Sequence, residues 1–368
     1  MPQNLSSAPL KAPVNVTWEI TERCNLSCRH CLSADLRRRE GGELDPRACE
    51  ALIDELAAMQ VFQINFGGGE PFLRADFLDI LRYAQAKGIV TCVSTNGTLL
   101  TEALVDELAA MDLLFLQVSL DGARSETNDA IRGPGTFERI LAGVELLRRR
   151  SFPDLSLNMV VTHVNFEEIA EFRRLASSLG ARTRLSRFRP SGDGARVWDD
   201  YRLSREQLAW LARFLEEHGD VLTGDSFFAL TNGGAGDRGL RMCGAARMTC
   251  AVGPDGSVFP CAFLCEPAFL AGNVVREPLG SIFEHAPIFR RLRDLEVEPC
   301  QACDRFSLCN GGCPAVAWFV TESLGLPDPE CLRVAAPATT ALAAARRAAA
   351  ALGGSAPAAT SRPHAEVA

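Results

Sequence analysis

Apolar and polar residues along the first half of the chain follow two alternating rhythms. Short runs of strand-forming composition fall at 14–20, 61–66, 89–94, 113–119, 155–161 and 182–188, and turn residues punctuate their ends. Between them, apolar residues recur at three- and four-residue steps over 47–59, 75–87, 101–111, 137–149 and 166–179, and a sixth such stretch covers 204–218. That spacing predicts amphipathic helices. Strands alternating with helices predict a parallel sheet covered by helices. Six units rather than eight predict an α/β fold built as a partial (β/α)6 TIM-like barrel.

In such barrels the chemistry gathers at the C-terminal ends of the strands. Four distinctive loops fall there. The loop after the first strand carries Cys24, Cys28 and Cys31 in a C-x3-C-x2-C spacing. Gly67-Gly68-Gly69-Glu70-Pro71 follows the second, Ser94-Thr95-Asn96-Gly97 the third, and Ser119-Leu120-Asp121-Gly122 the fourth. Three thiolates on a short loop can hold three irons of a [4Fe–4S] cube, which ordinarily takes four cysteines. The next cysteine, Cys49, lies on a helical pattern, so one iron is left open for another ligand. Zinc is the alternative, although the spacing lacks the paired or His-bearing arrangement of structural zinc sites. The glycine run is neither a P-loop nor a dinucleotide fingerprint. Alone it reads as a strand-to-helix turn. Beside an open cluster it would let backbone approach a ligand, with Glu70 accepting hydrogen bonds from an ammonium group.

Composition narrows the class. The chain has 368 residues, 47% hydrophobic and 23% charged, as expected for a globular protein with a sizeable core. A net charge of −8 argues against general binding to nucleic acid or anionic membranes. Residues 1–13 form a polar N-terminal extension without an export signal, and no apolar run is long enough to span a bilayer. Fourteen cysteines without a secretory context point to metal or redox chemistry in a reducing, cytoplasmic compartment. The barrel is expected over 14–223. From 224 to 334 helical periodicity fades and cysteines take over, which predicts a separate metal-held module. The stretch 335–368 is rich in alanine and proline and reads as a flexible tail, with a possible solvated helix at 341–352.

The cysteine loop and the Gly-Gly-Glu-Pro loop, in that order, resemble the radical S-adenosylmethionine (radical SAM) superfamily. The resemblance implies that Cys24, Cys28 and Cys31 hold a cluster whose open iron binds the amino and carboxylate groups of S-adenosylmethionine. It implies amino-group contacts from Gly68, Gly69 and Glu70, and ribose contacts from Ser94, Asn96, Ser119 and Asp121. Arg132 would meet the carboxylate and His30 the adenine. An electron passed into the sulfonium would break a carbon–sulfur bond and yield a 5′-deoxyadenosyl radical that removes a hydrogen atom. The run Cys300-x2-Cys303-x5-Cys309-x3-Cys313, with Gly256-x4-Cys261 before it and Cys331 after it, resembles the SPASM extension of peptide-modifying members. Zinc is again the alternative for the C-x2-C element. The resemblance implies two auxiliary clusters, Cys243, Cys250, Cys261 and Cys313 for one and Cys300, Cys303, Cys309 and Cys331 for the other, hence three [4Fe–4S] clusters. Cys49 and Cys92 are expected in the core, and Cys265 is unassigned.

Longer local runs, among them Arg187-Phe188-Arg189-Pro190-Ser191-Gly192, Val197-Trp198-Asp199 and Phe269-Leu270-Ala271-Gly272-Asn273-Val274, resemble the mycofactocin radical SAM maturases. That family acts on the C-terminal Val-Tyr of a small ribosomal precursor peptide. It decarboxylates the tyrosine oxidatively, then joins the valine β carbon to the former tyrosine α carbon. Arg187 and Arg189, at the sixth strand's end, are candidates for the peptide carboxylate, since guanidinium forks match carboxylates. Asp225 is a candidate proton carrier. The short stretch before the first strand leads us to expect a separate small peptide-binding chaperone, and the chemistry an external one-electron reductant. Rival readings are a sulfatase-type maturase, a Glu–Tyr cross-linking enzyme of quinone-cofactor biosynthesis, and an iron–sulfur or zinc electron-transfer or scaffold protein.

Overall fold

In a computed structural model, residues 10–38, 42–224 and 243–333 are described. Six parallel strands form in the expected order: β1 (Asn15–Glu19), β2 (Gln63–Gly67), β3 (Val90–Thr95), β4 (Leu113–Ser119), β5 (Leu155–Val161) and β6 (Arg182–Arg187). The expected ends hold to within two residues. Connecting helices are α1 (Pro46–Ala58), α2 (Phe77–Ala86), α3 (Glu102–Ala109), α4 (Ser125–Arg132), α5 (Thr136–Arg149) and α6 (Ile169–Ser178), followed by α7 (Arg205–Glu217). Local chemistry starts several of them. Asp45 accepts from Ala48 N ahead of α1, Thr101 from Leu104 N ahead of α3, and Ser204 and Gln207 close a capping box on α7. Helix α4 was not expected, because its polar sequence lacks an apolar repeat.

The sheet does not close. Its order is β6-β5-β4-β3-β2-β1-β7-β8-β9, so a strand from the cysteine-rich region, β7 (Thr249–Val252), lies parallel on the free edge of β1. β8 (Ser257–Phe259) and β9 (Gly272–Asn273) extend it antiparallel. The module expected to be separate therefore shares the barrel's sheet. The pairing is backbone to backbone, which side-chain patterning does not reveal.

Parity divides the strands into two faces. Val16, Trp18, Ile64, Phe66, Val93, Leu116, Leu157 and Leu185 are buried in the main hydrophobic core under the helices. Trp18 stacks on Phe66 at 5.6 Å between ring centroids, and Phe66 meets Phe77 of α2 edge-on at 5.6 Å. The opposite face is mostly polar: Thr17, Glu19, Asn65, Ser94, Gln117, Ser119, Asn158, Arg184 and Ser186 line a cavity of 390 Å³. A closed eight-stranded barrel fills this space with apolar layers; this open one keeps it for a ligand.

Among the described residues no helix is long and apolar enough to cross a membrane. Residues 1–9 of the N-terminal extension, Asp225 and the tail over 335–368 with its expected helix lie outside the described residues. Trp18→Ala, which removes the centre of the aromatic stack, is expected to cost about 3–5 kcal/mol in denaturant unfolding of cluster-free protein.

Candidate active site

The cysteine loop leaves β1 and is fastened by backbone from three neighbours. Gly69 N donates to Thr21 O at 2.9 Å and Glu70 N to Arg23 O at 2.8 Å. Arg29 N donates to Ile131 O of α4 at 2.9 Å, and Asp193 N to Cys31 O at 2.9 Å. Two of these approaches require glycine. A Cβ on Gly69 would collide with the Arg23 carbonyl, and one on Gly192 with the carbonyls of Cys31 and Leu32.

Cys24, Cys28 and Cys31 are half-buried at the cavity, and each sulfur faces a different donor. Asn96 Nδ2 lies 3.9 Å from Cys24 Sγ, an Arg132 guanidinium nitrogen 4.0 Å from Cys28 Sγ, and an Arg37 guanidinium nitrogen 3.7 Å from Cys31 Sγ. Burial pushes the Cys28 thiol up to about 11 against the pull of Arg132, and raises Cys31 against Arg37. Such thiols deprotonate when a metal takes the proton's place, and donors to sulfur tune a cluster. This donor set fits an iron–sulfur cluster. Among the described residues no three Cys, His, Asp or Glu side chains converge tightly enough for a single metal ion. A cube spaces its thiolates more widely than one ion does.

The expected S-adenosylmethionine contacts divide into lining and supporting residues. Gly68, Gly69, Ser94, Asn96, Ser119, His30 and Arg132 line the cavity. Glu70 and Asp121 are not among the lining residues and are fully buried. The Glu70 carboxylate accepts from Thr95 Oγ1 and Asn96 N, both at 2.7 Å, so it fixes the end of β3 rather than meeting a ligand. Burial raises it to about 7, although hydrogen bonds from Asn96, Thr95 and Phe72 oppose the shift. Asp121 Oδ2 lies 2.6 Å from His30 Nε2 and 2.7 Å from Arg132 Nε, and Oδ1 accepts from Val160 N at 2.8 Å. Burial works to raise Asp121, yet Arg132 and His30 outweigh it and hold it at about 2. Asp121 therefore orients two lining side chains instead of reaching the cavity itself. Among the described residues His30 Nδ1 is buried with no partner, an atom left for a bound ligand.

Arg187 and Arg189 both line the cavity, but their guanidinium groups differ. Arg187 is 1% exposed, pairs with Asp328 at 2.8 Å and 3.1 Å, and with Glu330 at 2.8 Å. It is already engaged in a buried ion pair, so its expected role toward a substrate carboxylate is corrected to a structural one. Arg189 stacks on the Phe263 ring, 4.0 Å from its centroid, and bonds to Arg187 O. Sequence reasoning missed Asp328 and Glu330. Their signal was the acidic run directly before Cys331.

The downstream cysteines form two sets. Cys243, Cys261 and Cys313 act on one another electrostatically and near Arg189, and burial pushes Cys261 up to about 11. Cys300 acts with Cys303, Cys309 and Cys331, and burial raises it to about 11. Cys250 departs from the expected foursome. It pairs in register with Val16 on the core face of the sheet. Phe259, two residues before Cys261, pairs with Ala251 on the opposite face. Burial alone raises the Cys250 thiol, to about 12. Cys49 sits in the core as expected, with Arg74 3.4 Å from its sulfur. Cys265 is buried, donating to Ala262 O at 3.4 Å.

Comparison with known proteins agrees with this geometry. The radical SAM superfamily matches residues 18–176, and an iron–sulfur cluster-binding domain, SPASM, matches residues 243–304. A mycofactocin maturase MftC of Mycolicibacterium smegmatis is 43% identical over 329 residues, 88% of this chain and 84% of that one. An AdoMet-dependent heme synthase of Methanosarcina barkeri is 35% identical over 346 residues, 88% of this chain and 98% of that one. The structure of Streptococcus suis SuiB bound to precursor peptide SuiA superposes with a TM-score of 0.71 at 17% identity, covering 89% of this chain and 77% of that one. Fold and thiol arrangement thus define a radical SAM enzyme with a SPASM extension. Within that class the chain belongs to the mycofactocin maturase family.

Gly69→Ala and Gly192→Ala should displace the cysteine loop and abolish cluster absorption and bound iron at the first site, while circular dichroism stays native. Arg187→Met leaves Asp328 and Glu330 buried without a counter-charge and is expected to cost about 3–5 kcal/mol. A fall in the thermal unfolding temperature would register this. Arg187→Lys should recover only part, because an ammonium cannot fork between two carboxylates.

Proposed function

We propose that this maturase acts on a small ribosomal precursor peptide ending in Val-Tyr. In this reading it first removes the tyrosine carboxylate oxidatively, then joins the valine β carbon to the former tyrosine α carbon. The observation that carries the proposal is the placement of three half-buried thiols at the mouth of a polar cavity, in a chain 43% identical to a mycofactocin maturase.

Cys24, Cys28 and Cys31 are assigned to a [4Fe–4S] cluster, with Asn96, Arg132 and Arg37 donating toward their sulfurs. The cluster and S-adenosylmethionine, when bound, supply one-electron removal of a hydrogen atom from carbon. The backbone of Gly68 and Gly69 faces the ligand's amino group, Ser94, Asn96 and Ser119 its ribose, and His30 its adenine. Arg132, with Nε held by Asp121, offers its other nitrogens to the ligand carboxylate. Glu70 and Asp121 act through the residues they hold.

Cys243, Cys261 and Cys313 are assigned to one auxiliary cluster, with Cys250 removed from that set. Cys300, Cys303, Cys309 and Cys331 are assigned to a second, giving three clusters in all. Ala262 and Phe263 of the cavity wall directly follow Cys261, which supports placing this set beside the substrate space. A small peptide-binding protein and an external one-electron reductant complete the reaction system, which we place in the cytoplasm.

The test is anaerobic incubation of reconstituted enzyme with S-adenosylmethionine, a reductant and a peptide ending in Val-Tyr. The peptide should lose carbon dioxide and two hydrogens, and then convert to an isomeric product at unchanged mass. An altered mass traced to another residue would overturn the substrate assignment. No 5′-deoxyadenosine under any reductant would overturn the radical chemistry itself.

A further inference from the structure

Among the described residues five arginines line the cavity, and four are accounted for. Arg37 bonds to the Glu22 carbonyl and faces Cys31, Arg132 is on Asp121, Arg187 is on Asp328 and Glu330, and Arg189 stacks on Phe263. The fifth is Arg184, in the middle of β6. Strand register gives its direction. Arg184 pairs with Asn158 and Ser186 with Val160, and Ser186 Oγ donates to Asn158 Oδ1 at 2.7 Å across the inward face. Arg184 thus lies one step deeper than Ser186 on the face that carries the cavity.

Among the described residues nothing neutralises it. Among the described residues the charged and titratable groups acting on Arg184 are Cys92, on the inward face of β3, and Arg182, of the same sign. Burial pushes the Cys92 thiol up to about 12, so it stays protonated and supplies no counter-charge. Burial likewise depresses the Arg184 guanidinium. Holding an uncompensated cation in a partly dry cavity is costly. An anion delivered with the substrate offsets that cost, and a guanidinium favours a planar, bidentate one.

We propose that Arg184, which lines the cavity with its guanidinium beside Gly224, is the receptor for the peptide's C-terminal carboxylate. This rests on the functional reading above and moves the carboxylate site from Arg187 and Arg189 to Arg184. Arg184 binds and orients; it takes no part in bond breaking. The carboxylate departs as carbon dioxide in the first step: a β hydrogen atom leaves to the 5′-deoxyadenosyl radical, carrying one proton and one electron, and the second electron would pass to an auxiliary cluster as the carbon–carbon double bond forms. The attraction to Arg184 vanishes with the charge. The decarboxylated end is then released from Arg184 and free to re-seat for ring closure. Arg184 therefore matters to the first step and not to the second.

Holoenzyme carrying Arg184→Met or Arg184→Lys tests this, with iron content and S-adenosylmethionine binding confirming that each variant is folded. Wild type should bind a Val-Tyr peptide acid at least about tenfold more tightly than its C-terminal amide. Arg184→Met should lose that preference and decarboxylate with a raised KM, and Arg184→Lys should keep part of it. Given the pre-formed decarboxylated peptide, Arg184→Met should close the ring at the wild-type rate. An acid-over-amide preference retained by Arg184→Met, or equal loss of both steps, overturns the assignment. Failure of wild type to decarboxylate any Val-Tyr peptide would instead sink the functional reading.

Discussion

Parallel hydrogen bonding along both edges of β1 is the constraint from which the architecture follows. One edge takes β2 and the other takes β7. The barrel cannot close on that side, so its inward face keeps an open mouth and a solvent-sized interior. The same strand delivers the cysteine loop at its C-terminal end. The first thiol set leaves β1, and Cys243 and Cys261 flank the β7–β8 pair beside it in the same sheet. Their relative placement is set by backbone pairing, the least negotiable interaction in a sheet.

Electrostatics in the cavity follows a consistent division. Asp121 and Glu70 are buried behind the wall, Glu19 stands at it tied to Ser33, and cations stand at it as well. Asp121 fixes His30 and Arg132, Glu70 fixes Asn96, and Glu19 accepts from Ser33 Oγ at 2.6 Å. Each carboxylate spends its charge or acceptor capacity on a neighbour that faces the ligand. Beyond Glu19, negative charge reaches the cavity from whatever the thiols become on metal binding and from what enters. A site arranged in this way favours a cationic sulfonium near the thiols and an anionic group near Arg184. The two ends of the cavity would then select ligand parts of opposite sign.

Strands β1–β6 were legible because their composition and bounding turns are strong local signals. The loops bearing Cys24–Cys31 and Gly67–Pro71 were legible because their residue types have few other uses in that order. What failed to show was direction and partner. Glu70 and Asp121 lie where ligand contacts occur, yet only the folded backbone reveals that their carboxylates turn away from the cavity. Arg184 could have been found from β6 itself, since it shares parity with Ser186 and opposes Leu185. Attention to the strand's end selected Arg187 and Arg189 instead. Cys250 was grouped by spacing, but its partner on β1 comes from 234 residues earlier in the chain, counted from the Val16–Cys250 register. No local pattern encodes that contact. Helix α4 was invisible because Ser125-Glu126-Thr127-Asn128-Asp129 carries no apolar repeat, and side-chain bonds such as Phe137 N to Asp129 Oδ1 at 2.8 Å hold its turn in place.

The buried cluster of Arg187, Asp328 and Glu330 is best understood as specification rather than gain in stability. Desolvating one cation and two anions costs several kcal/mol per ion, roughly what their attraction returns, so an apolar trio could be as stable. An apolar trio could not, however, distinguish one register from another. Asp328 Oδ2 accepts from Cys313 N at 3.0 Å while binding Arg187, and Cys331 N donates to Asp328 O at 2.9 Å. One side chain of β6, through Asp328, thus fixes the backbone of Cys313 and Cys331, one cysteine from each downstream set. Glu330, the residue beside Cys331, supplies the second carboxylate to the same guanidinium. The terminal segment cannot slide by even one residue without leaving a buried charge unpaired. Two downstream cysteine sets are in this way referred to a single strand, β6, which also carries Arg184 on its cavity face.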